Sequence, residues 1–269
     1  MFSALRKTPV PETAAPPAKG TRPEGAQSEA EASRKVREMF TQIAPSYDAL
    51  NHLLSLQIDR LWRARTAKLL RPILRRKEAV VLDLCCGTGD LAIALRNSGK
   101  ARVIGADFAH TMLVRARAKS ILGSSHSGML GPPPLPLFEA DALRLPFAKA
   151  SFDLVASAFG FRNLANYEEG LKEIRRVLKP GGTVGILEFS EPPPGLAGDL
   201  YRWYCRKLLP KIGGLLSGNP NAYKYLPASV ARFFRPEELA ALMNSVGFTD
   251  LKYELWTFGS VALHTAIKL

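Results

Sequence analysis

The chain has 269 residues and a mass of 29.4 kDa, the size of one large domain with additions, and no apolar run in it approaches the roughly 18 residues needed to cross a bilayer. Hydrophobic residues make up 46% and charged residues 23%, ordinary globular proportions that exclude a fibrous or low-complexity chain. The 37 Lys and Arg against 24 Asp and Glu give a formal charge of +13, which favours a polyanionic partner, nucleic acid or an anionic membrane face, without choosing between them.

Residues 1–33 hold Pro9, Pro11, Pro16, Pro17 and Pro23 and few large apolar side chains, which predicts a disordered tail. A transit peptide is the competing reading, but Glu12, Glu24, Glu29 and Glu31 are too many acids for one. The folded domain is expected over 34–269, opening with a helical segment at 34–70. From Val80 onward, short apolar runs alternate with amphipathic stretches, the pattern of βαβ units on a parallel sheet. Strands are expected at 79–84, 102–106, 135–139, 152–156 and 183–189, and a closing hairpin around Gly259 at 249–255 and 261–267. Tyr167 to Lys179 puts Leu171, Ile174, Val177 and Leu178 on one face after Asn166, and stops at Pro180, Gly181 and Gly182, so a helix is predicted there. Pro236 opens another, with Glu237 and Glu238 in its first turn and Gly247 beyond its end. Residues 123–136 are Ser-, Gly- and Pro-rich and read as a surface loop. Residues 191–235 are too long and too aromatic to be a mere connection and are expected to form a substrate lid. Three cysteines, with Cys85 and Cys86 adjacent, have neither disulfide-framework nor zinc spacing. No metal is expected, and a reducing, cytosolic environment fits.

The segment VLDLCCGTGD at 81–90 is an apolar strand running into Gly87, Thr88 and Gly89 and then a helix. Gly87, Gly89 and Ala92 satisfy the dinucleotide fingerprint, with Asp107 near the spacing of an acid on ribose hydroxyls. Asp83 separates the cofactor classes. At the end of the first strand its carboxylate would repel a pyrophosphate but attract the ammonium of a methionine moiety. Each glycine alone more often marks a tight turn, and a strand-end Asp is often only a helix cap. Their order and spacing together favour a ligand loop. With Asp107 and then Asp141 in EADALRLPF, the pattern resembles S-adenosylmethionine (SAM)-dependent methyltransferases with a Rossmann-like sheet. That resemblance implies an α/β class I fold with a mostly parallel seven-stranded sheet and an antiparallel C-terminal hairpin. It also implies a cofactor site at Asp83, Gly87, Thr88, Gly89, Asp107, Asp141 and Ala142. Cys85 and Cys86 read as packed thiols rather than nucleophiles.

Four further segments narrow the family: IAPSYDALNHLLSLQIDRLWR at 43–63, FGFRN at 159–163, RVLKPGG at 176–182 and LEFSEP at 187–192. Together they resemble the ubiquinone/menaquinone biosynthesis C-methyltransferases, from about Val36 to the C-terminus. Leu50, Asp59 and Ala158 depart from that pattern, where Met, His and a small polar residue are usual. The resemblance implies SAM-dependent C-methylation of a prenylated hydroquinone, demethylmenaquinol or a ubiquinol precursor. It further implies a cytoplasmic protein held peripherally at the inner membrane, with assembly into several copies left open. Of the histidines, His52, His110, His126 and His264 all lie outside the strand-end motifs. Arg162 is therefore expected to stabilise a developing phenolate, with Tyr47 as hydroxyl partner. The alternatives are a buried Arg paired with Asp48 and a Tyr that only packs. Between Asp199 and Arg235, seven cations stand against one acid, Asp199, among many aromatic rings, which suits contact with anionic headgroups. RNA methylation is the rival function, favoured by the charge. Against it, SAFGF after the fourth strand lacks a Pro-Pro-aromatic loop, and no nucleic-acid partner is expected. A non-catalytic SAM-binding protein is the third class, opposed by the intact motifs.

Overall fold

The computed structural model describes residues 20–45, 47, 48, 52, 55, 57–122, 133–193, 195, 198, 203 and 229–269. Of the expected surface loop, residues 123–132 lie outside these, and so does most of the expected lid, including every residue of 204–228.

The first helix, α1 (Glu29–Ile43), begins inside the stretch expected to be a tail. The Ser28 side chain accepts a hydrogen bond from the Glu31 amide, and Glu29 and Glu31 sit in the first turn, where a cap and negative charge both stabilise a helix. Ala32 is buried and the Thr21 amide donates to the Leu164 carbonyl. Two of the acids that argue against a transit peptide, Glu29 and Glu31, are thus helix-start signals. Next come α2 (Ile58–Leu69), the short α3 (Arg71–Leu74), β1 (Val80–Leu84) and α4 (Asp90–Asn97). They are followed by β2 (Arg102–Asp107), α5 (His110–Leu122), β3 (Leu137–Glu139) and β4 (Phe152–Ala158). The chain closes with α6 (Tyr167–Val177), β5 (Leu178–Phe189), α7 (Pro236–Ser245), β6 (Phe248–Trp256) and β7 (Val261–Lys268).

The seven strands among the described residues join one sheet in the order β3-β2-β1-β4-β5-β7-β6. The β1–β2, β1–β4, β2–β3 and β4–β5 pairs are parallel, and β7 runs antiparallel to both β5 and β6. This is the expected class I architecture. Strand residues alternate between faces. Val81, Val103 and Leu154 pack with Ala67 of α2, Leu91 and Leu95 of α4, and Leu70 just beyond α2 on one side. Leu82, Val155 and Val184 pack with Leu171, Ile174, Leu239 and Leu242 of α6 and α7 on the other. The strand order reverses between β1 and β4, and the carboxyl ends of those strands form the crevice where such sheets bind ligands.

One expected boundary moves. The helix ends at Val177 rather than Lys179, and Leu178 is extended (φ −69°, ψ 141°) and pairs with Phe152 as the first residue of β5. Pro180 disfavours a helical Lys179, and Leu178 and Phe152 are both buried, so the Lys-Pro-Gly-Gly turn of RVLKPGG is drawn into the start of the strand.

His264 of β7 is buried with Nε2 2.8 Å from the Pro236 carbonyl, while Nδ1 has no hydrogen-bond partner among the described residues. Burial pushes its pKa down to about 4, against the opposing bond to Pro236. The folded chain therefore keeps His264 neutral while the unfolded chain protonates it below about pH 6.5, so stability falls as the pH drops toward 4. Between pH 7 and pH 5 this group should cost about 2 kcal/mol. We expect His264→Phe to flatten the acid limb of the unfolding free energy by about that amount, measured by denaturant titration at both pH values. An unchanged slope would contradict the assignment.

Candidate active site

A cleft containing about 880 Å³ of empty space, part of it open solvent, lies at the carboxyl ends of β1, β2 and β4. Asp83, next to last in β1, is 1% exposed and lines the cleft. Neither carboxylate oxygen makes a hydrogen bond to a described residue. Burial raises its pKa well above the usual carboxylate range. The Ala92 amide and the Arg63 charge pull the other way, too weakly to reverse it. No described amide comes within hydrogen-bond geometry of it, and the Ala92 amide nearby compensates only in part. A buried acid so little compensated is costly, and a cationic ligand group in the cleft would relieve it.

The glycine loop follows directly. Gly87 has φ +53°, and a side chain built there would meet nothing within 4 Å. The loop is thus bare where it faces the cleft, as a backbone that closely approaches a ligand must be. Asp107, the last residue of β2, fixes the loop. Its Oδ2 accepts from the Gly87 amide at 2.8 Å and its Oδ1 from the Ala109 amide at 2.9 Å. Burial raises the Asp107 pKa, with those amide bonds opposing the rise. Asp107 therefore shapes the loop as well as lining the cleft, a double role the spacing alone did not reveal. Asp141 is exposed, accepts from the Leu143 amide at 2.9 Å and lines the cleft together with buried Ala142. Gly160 of FGFRN needs its missing side chain for another reason, because a Cβ there would stand 2.4 Å from the Cys85 Cβ. The two motifs are thus locked together under the cleft. Burial pushes both the Cys85 and Cys86 thiols well up, which makes them poor nucleophiles.

The N-terminal helical segment closes the cleft through a chain of polar contacts. Thr88 Oγ1 donates to Asp48 Oδ1 at 2.5 Å. Lys119 Nζ reaches Asp48 Oδ2 at 2.5 Å, Asp90 Oδ1 at 2.7 Å and Thr88 Oγ1 at 3.0 Å. His52 lies 2.8 Å from Asp59 through Nδ1 and 3.8 Å from Asp90 through Nε2. Asp59 in turn accepts from Ser55 at 2.6 Å and from Arg63 at 2.5 Å. Burial works to raise the Asp59 pKa, but the Ser55 bond and the Arg63 charge outweigh it and hold the carboxyl below its usual range. His52, Asp59 and Asp90 offer ligand atoms within 4.8 Å of one another. Arg63 and Lys119 already hold those carboxylates, however, a poor setting for a metal cation. Arg63 also lines the cleft, its guanidinium 5.4 Å from the Phe159 ring centroid. Sequence reasoning passed over Arg63, although its four-residue spacing from Asp59 signals a shared helix face. No local signal marks Lys119, which meets the loop only through the fold.

Tyr47 is half-buried and lines the cleft, edge-on to Phe40. Arg162 is placed elsewhere. It is 4% exposed and its Nη1 bonds Glu188 Oε2 at 3.0 Å, while the Arg162 amide bonds Glu188 Oε1 at 3.0 Å. The same Nη1 donates to the Phe159 carbonyl, and Nε reaches Ser229 at 3.3 Å. Phe159, Gly160 and Asn163 line the cleft and Arg162 does not. Arg162 is thus a buried ion-pair residue, as in the alternative reading, but its partner is Glu188. Asp48 belongs to Thr88 and Lys119.

A family model described as the ubiE/COQ5 methyltransferase family matches residues 28–268. A demethylmenaquinone methyltransferase of Thermus thermophilus is 48% identical over 227 residues, covering 84% of this chain and 98% of that protein. A ubiquinone/menaquinone biosynthesis C-methyltransferase, UbiE, of Geobacter sulfurreducens is 42% identical over 240 residues, covering 88% and 90%. Among solved structures, a SAM-dependent methyltransferase of Thermotoga maritima, described as a possible histamine N-methyltransferase, superposes with a TM-score of 0.61. It is 21% identical, covering 87% of this chain and 100% of that one. The [4+2]-cyclase SpnF matches equally well, TM-score 0.61 at 18% identity over 88% and 96%, so this likeness speaks for the fold alone.

Proposed function

The chain belongs to the ubiE/COQ5 methyltransferase family, and from that premise we propose that it methylates a ring carbon of a prenylated hydroquinone, converting demethylmenaquinol to menaquinol, with a ubiquinol precursor as a second acceptor of the same class. It is a SAM-dependent methyltransferase. Bound SAM supplies an electrophilic methyl group on a sulfonium. The buried, poorly compensated carboxylate of Asp83 carries the cofactor assignment, since the ammonium that the methionine end of SAM would bring satisfies it. The open face of Gly87 leaves room for that end. Asp107, held by two amides, presents its remaining lone pairs to the ribose diol, and Asp141 with Ala142 borders the adenine. Arg63, which lines the cleft, is the cation for the methionine carboxylate.

On the acceptor side, Tyr47 and Asn163 line the cleft and offer polar contacts to a quinol hydroxyl. A hydroquinone carbon beside a hydroxyl is nucleophilic and can take the methyl as its bond to sulfur breaks, leaving S-adenosylhomocysteine. The ring carbon then loses its proton to solvent, which restores the hydroquinone with no covalent enzyme intermediate. Alignment of the two reactants is the main contribution, up to roughly 7 to 11 kcal/mol in ideal geometry. RNA methylation is set aside, because the matching curated relatives are named for quinone methylation. The cationic, ring-rich stretch 199–235 is assigned a place against anionic headgroups on its composition, since the prenyl tail arrives from a bilayer. Labelled SAM with chemically reduced demethylmenaquinol should give labelled menaquinol, and the strictly oxidised quinone should give little, because its ring is electron-poor. Equal transfer to the oxidised form, or transfer to RNA in its place, would overturn the proposal.

A further inference from the structure

Helix α2 has two distinct faces. Asp59, Trp62, Arg63, Thr66 and Ala67 are buried, and Arg63 reaches the cleft. The outer face carries Leu61, 69% exposed, and Leu69, 42% exposed, with Arg60 and Lys68, and Arg71 follows at the start of α3. None of these three cations makes an ion pair with a described residue. The only acid from Ile58 to Lys77 is Asp59, which faces inward.

The turn between β6 and β7 extends this surface. Thr257 and Phe258 both have positive φ, 49° and 57°, a conformation that L-residues other than Gly, Asn and Asp seldom adopt. The turn is held in that shape from α2, since Trp62 Nε1 donates to Thr257 Oγ1 at 2.8 Å. Arg65 lies 4.6 Å over the Trp256 ring and pairs with Glu254 at 3.3 Å. Phe258 is left 79% exposed, on the residue next to the one bonded by Leu61's neighbour. A strained turn that is bonded to α2 and projects a bare phenyl ring is poorly explained as a solvated face.

We propose that the outer face of α2 and the Phe258 turn form the surface by which this chain docks on an anionic lipid bilayer. Phe258 and Leu61 enter the interface, and Arg60, Lys68 and Arg71 meet the headgroups. The occupant follows from the charge, since Arg60, Lys68 and Arg71 stand unpaired among the described residues while the one acid at this surface, Glu254, is taken by Arg65. It follows also from position, because Arg63 on the inner side of the same helix lines the cleft that would receive a membrane-dissolved substrate. The proposal rests on the quinol-methylating reading for that last point.

The test is flotation of the full chain with vesicles of phosphatidylcholine plus phosphatidylglycerol, against phosphatidylcholine alone. Wild type should float with the anionic vesicles, and less so as salt rises. The triple variant Arg60→Gln, Lys68→Gln and Arg71→Gln should lose roughly a hundredfold in partitioning. Phe258→Asn, which suits the left-handed turn, should lose about tenfold. Both variants should methylate a short-tailed quinol in detergent at the wild-type rate, which also shows that they fold. Variants that float like wild type would overturn the docking face. So would a wild-type dimer that becomes monomeric in both variants by sedimentation, which would make the face an interface between copies. If wild type floats as expected but methylates no quinol, the enzymatic reading fails and the docking face stands.

Discussion

Asp83→Asn is expected to weaken SAM and S-adenosylhomocysteine binding by about a hundredfold or more, the scale of about 3 kcal/mol or above for removing one partner of a buried charge pair. The same change should stabilise the ligand-free protein. Burial raises the Asp83 pKa, so the folded chain binds its proton more tightly than the unfolded chain does. Between the ordinary carboxylate pKa and that raised value, stability falls as the pH rises, and an amide carries no such cost. An ammonium requires the ionised carboxylate, so wild-type affinity should grow with pH through the same window and proton release should accompany binding. The variant's affinity should be flat there. Calorimetry in two buffers of different ionisation enthalpy measures both effects. Arg63→Gln provides the complementary measurement: it should weaken S-adenosylhomocysteine but not 5′-methylthioadenosine, which lacks the methionine carboxylate. An Asp83→Asn protein that binds SAM normally would remove the basis for placing the methionine end at β1.

Arg162→Gln should destabilise the fold by about 3 to 5 kcal/mol, because it leaves Glu188, 1% exposed, as an unpaired buried charge. Adding Glu188→Gln should recover most of that loss, since the pair is then replaced by two neutral groups able to hydrogen-bond each other. The readout is the denaturant midpoint at constant slope. If Arg162→Gln left the midpoint unchanged but lowered single-turnover methylation, the arginine would act on the quinol oxygen, as its place after the fourth strand first suggests. Should the single variant fail to fold, the double variant still decides. Folded and active, it identifies Arg162 as structural, whereas folded and inactive with normal SAM affinity identifies it as catalytic.

Much of the fold was legible from local features. Parallel strands buried on both faces appear as short apolar runs, so each of the seven was found within a few residues of its place. Pro236 followed by Glu237 and Glu238 announced α7. The glycine loop was legible because Gly87, Gly89 and the strand-end acids Asp83 and Asp107 are consecutive features of one strand-loop-helix unit and the strand after it, and the two acids and Gly87 line one cleft. The errors were local conflicts. At residues 29–33 composition indicated disorder, while Ser28 and Glu31, a serine followed three residues later by a glutamate, mark a helix start and prevail because Ala32 and Val36 find cover. At Leu178 helical periodicity lost to pairing with Phe152.

The sequence by itself therefore determined the element order, the loop and the acids that face it, because backbone preference and apolar period are properties of neighbouring residues. Only the tertiary structure decided the charge partners. Arg162 meets Glu188 across 26 residues, and Thr88 meets Asp48 across 40 and Lys119 across 31. Such pairings depend on where the crossings of the sheet bring distant side chains. The buried Asp59–Arg63 pair is the exception, legible from its i,i+4 spacing. For the distant pairs a charge takes whichever counter-charge the packed chain sets within reach, and nothing in the residues beside it records that choice.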